Sequence, residues 1–135
     1  MPSSFKELRV WQEAMKFTVA VYRATGNFPK HELYGLSQQL RRAAVSIPSN
    51  IAEGKGRASD RELIRFLNYA RGSLYEVQTQ IKVARRLDYL TETAAQALYM
   101  QAAEVGRVLN GLIHAVVPLR PSAPGSYNSR TEEPK

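Results

Sequence analysis

Residues 39–57 read QLRRAAVSIPSNIAEGKGR, and the reading of this stretch decides the fold. Leu40, Ala43 and Ile47 recur at the spacing of one helix face, and Leu33 and Leu36 extend the seam back toward Glu32. Pro48 then removes a backbone donor, and its ring clashes with the carbonyl four residues earlier. The apolar pattern nevertheless resumes at Ile51 and Ala52 and runs to Gly54. That continuation predicts a second helix kinked at Pro48 rather than ended by it. Charge is as uneven as the backbone. Arg41 and Arg42 stand at one end, and Lys55, Arg57 and, just beyond, Arg61 crowd the other. Helix rules and charge rules are strained together here, and such local conflict often marks a working site.

Outward from this stretch, three more amphipathic segments appear, with almost no strand signal. In residues 5–25, Leu8, Trp11, Met15, Thr18 and Tyr22 form one stripe, and Val10, Ala14, Phe17, Val21 and Ala24 form a second beside it. Together they make an apolar arc wider than one bundle seam requires. Gly26, Asn27 and Pro29 end that helix. Ser59 followed by Glu62 predicts a capping box opening the third helix. Leu63, Leu67, Ala70, Leu74, Val77, Ile81 and Ala84 carry it on strict four-three alternation to about Tyr89. Thr91 or Glu92 opens the fourth, with Ala95, Leu98, Ala102, Val105, Leu109, Leu112 and Val116 on its seam and Pro118 as its stop. Four such helices with short connections predict an all-α, antiparallel up-down-up-down bundle over residues 1–117. Residues 118–135 hold four of the seven prolines and few apolar residues, and are expected to form a flexible tail.

The run from Gln39 to Gly54, with Gly35-Leu36 before it and Gly72-Ser73-Leu74-Tyr75-Glu76 after it, resembles the small bacterial four-helix-bundle proteins encoded by intervening sequences of 23S rRNA genes. That family is in turn a distant relative of the accessory variability proteins of diversity-generating retroelements. The likeness spans about residues 5–117. It implies a homo-oligomeric ring, commonly a homopentamer.

The formal net charge is +7, and most of the excess is local: between Arg41 and Arg86 there are ten Lys and Arg against four acids. A basic surface of this kind favours polyanions, with a plain solvated face as the bland alternative. There are no cysteines, which removes disulfides and thiolate chemistry. The N-terminus has no signal-peptide pattern, and no apolar run reaches the roughly 20 residues of a membrane helix. A cytoplasmic protein with no membrane partner is expected.

Catalytic and cofactor motifs are missing. Gly54-Lys55-Gly56-Arg57 follows a helix and lacks the spacing of a phosphate loop, so a glycine cap and a basic turn are the simpler reading. Residues Glu53, Glu76 and Glu104 are followed three positions on by Gly56, Thr79 and Arg107, so the Glu-x-x-His of di-metal bundles is absent. His31 falls in a loop, and His114 late in the fourth helix. Gln39, Ser46, Ser49, Asn50, Glu53, Ser73 and Glu76 make a polar set on two facing helices. No nucleophile–base pair lies within it, which favours a hydrogen-bonded structural layer over catalysis. Adjacent helical residues sit about 100° apart, so Arg41 and Arg42 are expected to split roles, one exposed and one paired with Glu53 or Glu76. Trp11, Tyr22, Tyr69, Tyr75, Tyr89 and Tyr99 sit at helical spacing and read as core or interface residues, with no base-stacking role assigned.

The resulting expectation is a non-enzymatic oligomer, with no cofactor or metal, that binds RNA or DNA through a basic face. Arg41, Arg57, Arg61, Arg65, Lys82, Arg85 and Arg86 are the candidate phosphate contacts. No recognition-helix or RNA-binding motif is present, so sequence specificity should be low, and RNA is favoured. The competing expectation is a scaffold that docks an acidic protein.

Overall fold

The computed structural model describes residues 4–116, so the expected tail at 118–135 lies outside the described residues. Among the described residues there are four α-helices and no strand: α1 (Arg9–Thr25), α2 (Leu36–Lys55), α3 (Asp60–Arg86) and α4 (Glu92–Val116). Around the square of the bundle, α1 packs on α2 and α4, and α3 packs on the same two. Phe17 of α1, Leu40, Ile47 and Ile51 of α2, Leu67, Leu74 and Ile81 of α3, and Leu109 of α4 are fully buried where the four meet. These are the positions the three-four spacing had picked out.

The helix boundaries differ from expectation where local hydrogen bonding intervenes. The first segment is divided: Phe5–Glu7 is a single 3-10 turn capped by Ser4, and extended backbone at Leu8 separates it from α1. The second helix starts later than Glu32. Residues Lys30–Glu32 form another 3-10 turn, and Leu33, expected on the seam, is 51% exposed. Glu32 instead caps α2 from outside, its Oε1 accepting the Leu36 N–H at 3.0 Å. A Cβ at Gly35 would lie 2.7 Å from that oxygen, so glycine is what lets the carboxylate reach in.

Within α2 the helix continues unbroken through Pro48, which is itself buried. The carbonyl robbed of its partner belongs to Ala44, and the Thr18 hydroxyl of α1 reaches it at 3.1 Å while also lying 2.8 Å from the Ala14 carbonyl. Further along the same pair of helices, Arg41 meets Thr25 at 2.8 Å. Between α2 and α3, Ser46 meets Ser73, and Gly54 lies against Phe66, where an added Cβ would come within 2.8 Å of the Phe66 Cβ. Between α3 and α4, Arg71 donates to Asn110 at 3.0 Å and Arg85 to Glu92 at 2.9 Å.

The Ser59 hydroxyl caps α3 by accepting the Glu62 N–H at 3.2 Å, but the box is only half formed, because the Glu62 carboxylate turns to Arg65. The helix stops at Arg86 instead of Tyr89. Asp88 takes a left-handed conformation at φ 63°, the Tyr89 N–H reaches back to Ala84 at 2.9 Å, and the Asp88 N–H to Arg85 at 3.0 Å. This is a Schellman turn with aspartate in the place glycine usually holds. It aims Tyr89 at the start of α2, where its hydroxyl donates to Glu32 at 2.8 Å.

Candidate nucleic-acid interface

The seven candidate cations do not form one uniform face. Arg41 is built into the fold: its Nε donates to Thr25 Oγ1 at 2.8 Å, its Nη2 to the Tyr22 carbonyl at 3.2 Å, and its guanidinium lies 4.8 Å from the Tyr22 ring centre. It serves the C-terminal turn of α1, whose last carbonyls need donors. The expected split between the twin arginines is therefore present, with a different partner. Neither Glu53 nor Glu76 pairs with them, and Arg42 is the exposed member.

Three further candidates are partly neutralised within the chain. Arg57 pairs with Glu53 at 2.8 Å, Arg65 with Glu62 at 2.7 Å, and Arg85 with Glu92 at 2.9 Å and Asp88 at 3.3 Å. The hydrogen bond it donates to Glu62 raises the Arg65 guanidinium above its ordinary value, and the one donated to Glu92 does the same for Arg85. Arg57 and Arg65 also stack on Phe66, at 4.7 and 5.1 Å from its centre, and Arg65 lies 5.7 Å from the Tyr69 ring. Among the described residues, Arg61, Lys82 and Arg86 have no acid partner. The Lys82 ammonium lies 5.1 Å from the Tyr99 ring centre, a cation–π contact toward α4 that leaves the side chain exposed.

These three share one line along α3. With the core seam at Leu67, Ala70, Leu74, Val77, Ile81 and Ala84, the opposite side carries Arg61, Arg65, Asn68, Gly72, Tyr75, Thr79 and Arg86, with Lys82 and Val83 on its margins. Glu76 is exposed at its edge and Glu62 pairs with Arg65 at 2.7 Å, so this side is basic in balance but not free of acids. Its two ends are about 37 Å apart at 1.5 Å per residue. Tyr75 is 57% exposed and Tyr69 is 49% exposed, although helical spacing had read both as core or interface. The signal that separates them from the core was available: both fall between seam positions, not on them.

The polar set between α2 and α3 is not a single buried layer in this chain. Ser46 and Ser73 are half-buried and meet at 2.5 Å, and Asn50 donates to the Ser46 carbonyl at 2.7 Å. Gln39, Ser49, Glu53 and Glu76 are exposed, because α2 and α3 close tightly only on their core side. Gln80, one turn beyond that set, is buried beside Glu76, with its Nε2 3.4 Å from that carboxylate and its Oε1 without a partner among the described residues. Neither serine has a histidine or lysine hydrogen-bonded to it. No group of three or more His, Asp or Glu side chains that could hold a metal occurs among the described residues. His31 lies 3.4 Å from the Tyr89 hydroxyl, and His114 is exposed. No helix of the described residues is long and apolar enough to cross a membrane.

Comparison with known proteins agrees with this architecture. A solved structure of a protein of unknown function from the S23 ribosomal protein family of Bacteroides thetaiotaomicron VPI-5482 superposes with a TM-score of 0.69 at 23% identity, covering 76% of this chain and 96% of that one. At that identity the likeness establishes the fold. No curated protein matches the sequence. The family model of the 23S rRNA-intervening sequence protein matches residues 6–111, a span that takes in all but the last turn of the bundle. By that match over most of its length, the chain belongs to the 23S rRNA-intervening sequence protein family.

Proposed function

We propose that this protein is a non-enzymatic, oligomeric nucleic-acid-binding protein of low sequence specificity, with RNA the favoured ligand. One observation carries the reading: Arg61, Lys82 and Arg86 lie on one outward side of α3, exposed and without acid partners. Unpaired cations in a row are a phosphate-tracking surface, because each releases a counterion on binding. Arg57, Arg65 and Arg85 add weaker contributions, being already paired, and Arg41 contributes none. The names of the matching family and of the solved neighbour, which refer to 23S rRNA and to a ribosomal protein, favour RNA over DNA.

The finer architecture belongs to the same proposal. Partner residues fall on one helix as they rise on the next, with Ala44 opposite Thr18 and Arg41 opposite Thr25, which supports an antiparallel up-down-up-down course. A bend in α2 at Pro48 follows from the lost hydrogen bond and from the ring in its place. Ring assembly rests on α1. Its inner stripe (Val10, Ala14, Phe17, Val21) is buried, while Met15, Val19 and Tyr22 of the outer side are exposed, and Met15 shares a shallow apolar groove with Val45 of α2. A contiguous apolar surface of this kind is uncommon on monomers.

The test is binding of fluorescent RNA by anisotropy across a salt series. Affinity should fall with a log–log slope of about −0.7 per neutralised phosphate for single strands. Arg61→Glu with Arg86→Glu should weaken binding to all sequences alike and flatten the slope. A folded wild-type protein that binds no nucleic acid at low salt overturns the proposal and leaves an acidic protein as the partner to seek.

A further inference from the structure

We infer that the outward side of α3 takes a single strand of nucleic acid, not a duplex, with a base stacked on Tyr75 and the sugar–phosphate backbone running along Arg61, Lys82 and Arg86. This rests on the nucleic-acid reading above and narrows it to one class of ligand.

The first argument is the surface between the cations. Tyr75, Gln78, Thr79, Lys82, Val83 and Arg86 line a shallow groove on α3, and Tyr75 and Val83 give it an apolar floor at 57% and 43% exposure. Phosphates gain nothing from such a floor. Base faces do, and in a duplex those faces are already covered by neighbouring bases. Cations flanking an exposed aromatic therefore fit a strand whose bases are free to turn inward. The backbone then follows the charged margin.

Gly72 supplies the second argument. It sits one turn before Tyr75 in the middle of a long helix and is exposed. A Cβ built there meets nothing within 4 Å. Glycine in a helix interior is unfavourable relative to alanine. Nothing among the described residues requires it, in contrast to Gly54, whose added Cβ would collide with Phe66. A missing side chain beside an exposed tyrosine leaves a gap through which a strand can approach the helix closely.

The experiment uses the full chain and two labelled probes: a single-stranded RNA of about 12 nucleotides, long enough to span the cation line, and the duplex made by annealing its complement. At matched salt the single strand should bind more tightly. Tyr75→Ala should weaken single-strand binding by about tenfold, the usual scale for one lost stacking contact. Tyr75→Phe should keep most of the affinity, and Gly72→Ala should lose some of it. The duplex should respond to none of these changes. If both probes bind alike and Tyr75→Ala leaves them unaffected, the single-strand inference is overturned while phosphate binding stands. If neither probe binds at low salt, the broader functional reading fails as well. If Tyr75→Ala changes the assembly mass by light scattering, the groove is a contact between copies and the inference is overturned.

Discussion

Ala44 presents the sharpest case at the scale of single residues. Its carbonyl has no helical donor because Pro48 follows four residues later, and Thr18 fills the place from another helix at 3.1 Å. Removing that hydroxyl leaves a buried acceptor unsatisfied, so Thr18→Val should destabilise the fold by about 1–3 kcal/mol. With Pro48→Ala also present, the residue 48 N–H can serve Ala44 and the loss should shrink. Urea titrations of the two single variants and the double variant measure the coupling. Strict additivity would show that the two residues act independently. Glu32 and Tyr89 make a second tie, between the start of α2 and the end of α3. The Leu36 N–H, and next the Tyr89 hydroxyl, hold the Glu32 carboxyl below its ordinary value. A depressed carboxylate stabilises the fold above its unfolded value and loses that contribution as pH falls through its folded one. The melting-temperature gap between wild type and Tyr89→Phe should thus be widest near neutral pH and close as pH drops below the carboxylate range. A gap that stays constant into acid would contradict the tie.

At the scale of elements, two glycines in neighbouring helices should respond to the same substitution with opposite sign. Gly54 is buried where α2 meets α3, and its added Cβ would lie 2.8 Å from Phe66 Cβ and 3.3 Å from Leu63 Cδ1. Gly54→Ala should force the helices apart and cost about 1–3 kcal/mol. Gly72 faces open space, so Gly72→Ala should add about 0.5–1 kcal/mol of stability. Chemical denaturation midpoints decide both. A stabilised Gly54→Ala would mean that the α2–α3 contact has slack the geometry does not show. A destabilised Gly72→Ala would mean that the exposed side of α3 is already in use, by a neighbouring copy or by bound ligand.

The whole molecule is proposed to be a ring, and the outer side of α1 is where copies should join. Met15→Glu with Val19→Glu places two charges on that exposed stripe without touching the buried one at Ala14, Phe17 and Val21. Wild-type protein should scatter light as an assembly, and the double variant should fall toward the 15.2 kDa chain while keeping its helical spectrum. A wild-type mass at that of one chain would end the ring proposal. On the proposed reading, assembly should also strengthen binding, because each copy would repeat the same α3 cation line and repeated weak sites on one strand reinforce each other. The family match over residues 6–111 takes in both surfaces.

Helix number, helix class and nearly every core residue were legible in the sequence, because a three-four apolar period is a local property that packing only had to satisfy. Leu40, Ile47, Leu67, Leu74 and Leu109 are buried as their spacing required. The two stripes of α1 were legible for the same reason. What tertiary structure decided were the partners of the polar and charged groups, which depend on residues distant in sequence. Arg41 looked like a phosphate contact until the end of α1 claimed it, 16 and 19 positions away. Glu32 looked like the start of a helix until Tyr89 reached it from 57 positions on. Thr18 looked like part of an apolar stripe until Pro48 left a carbonyl beside it. Which cations stay free, and which tyrosines face outward with them, is fixed only when every acid and every helix end has taken its partner.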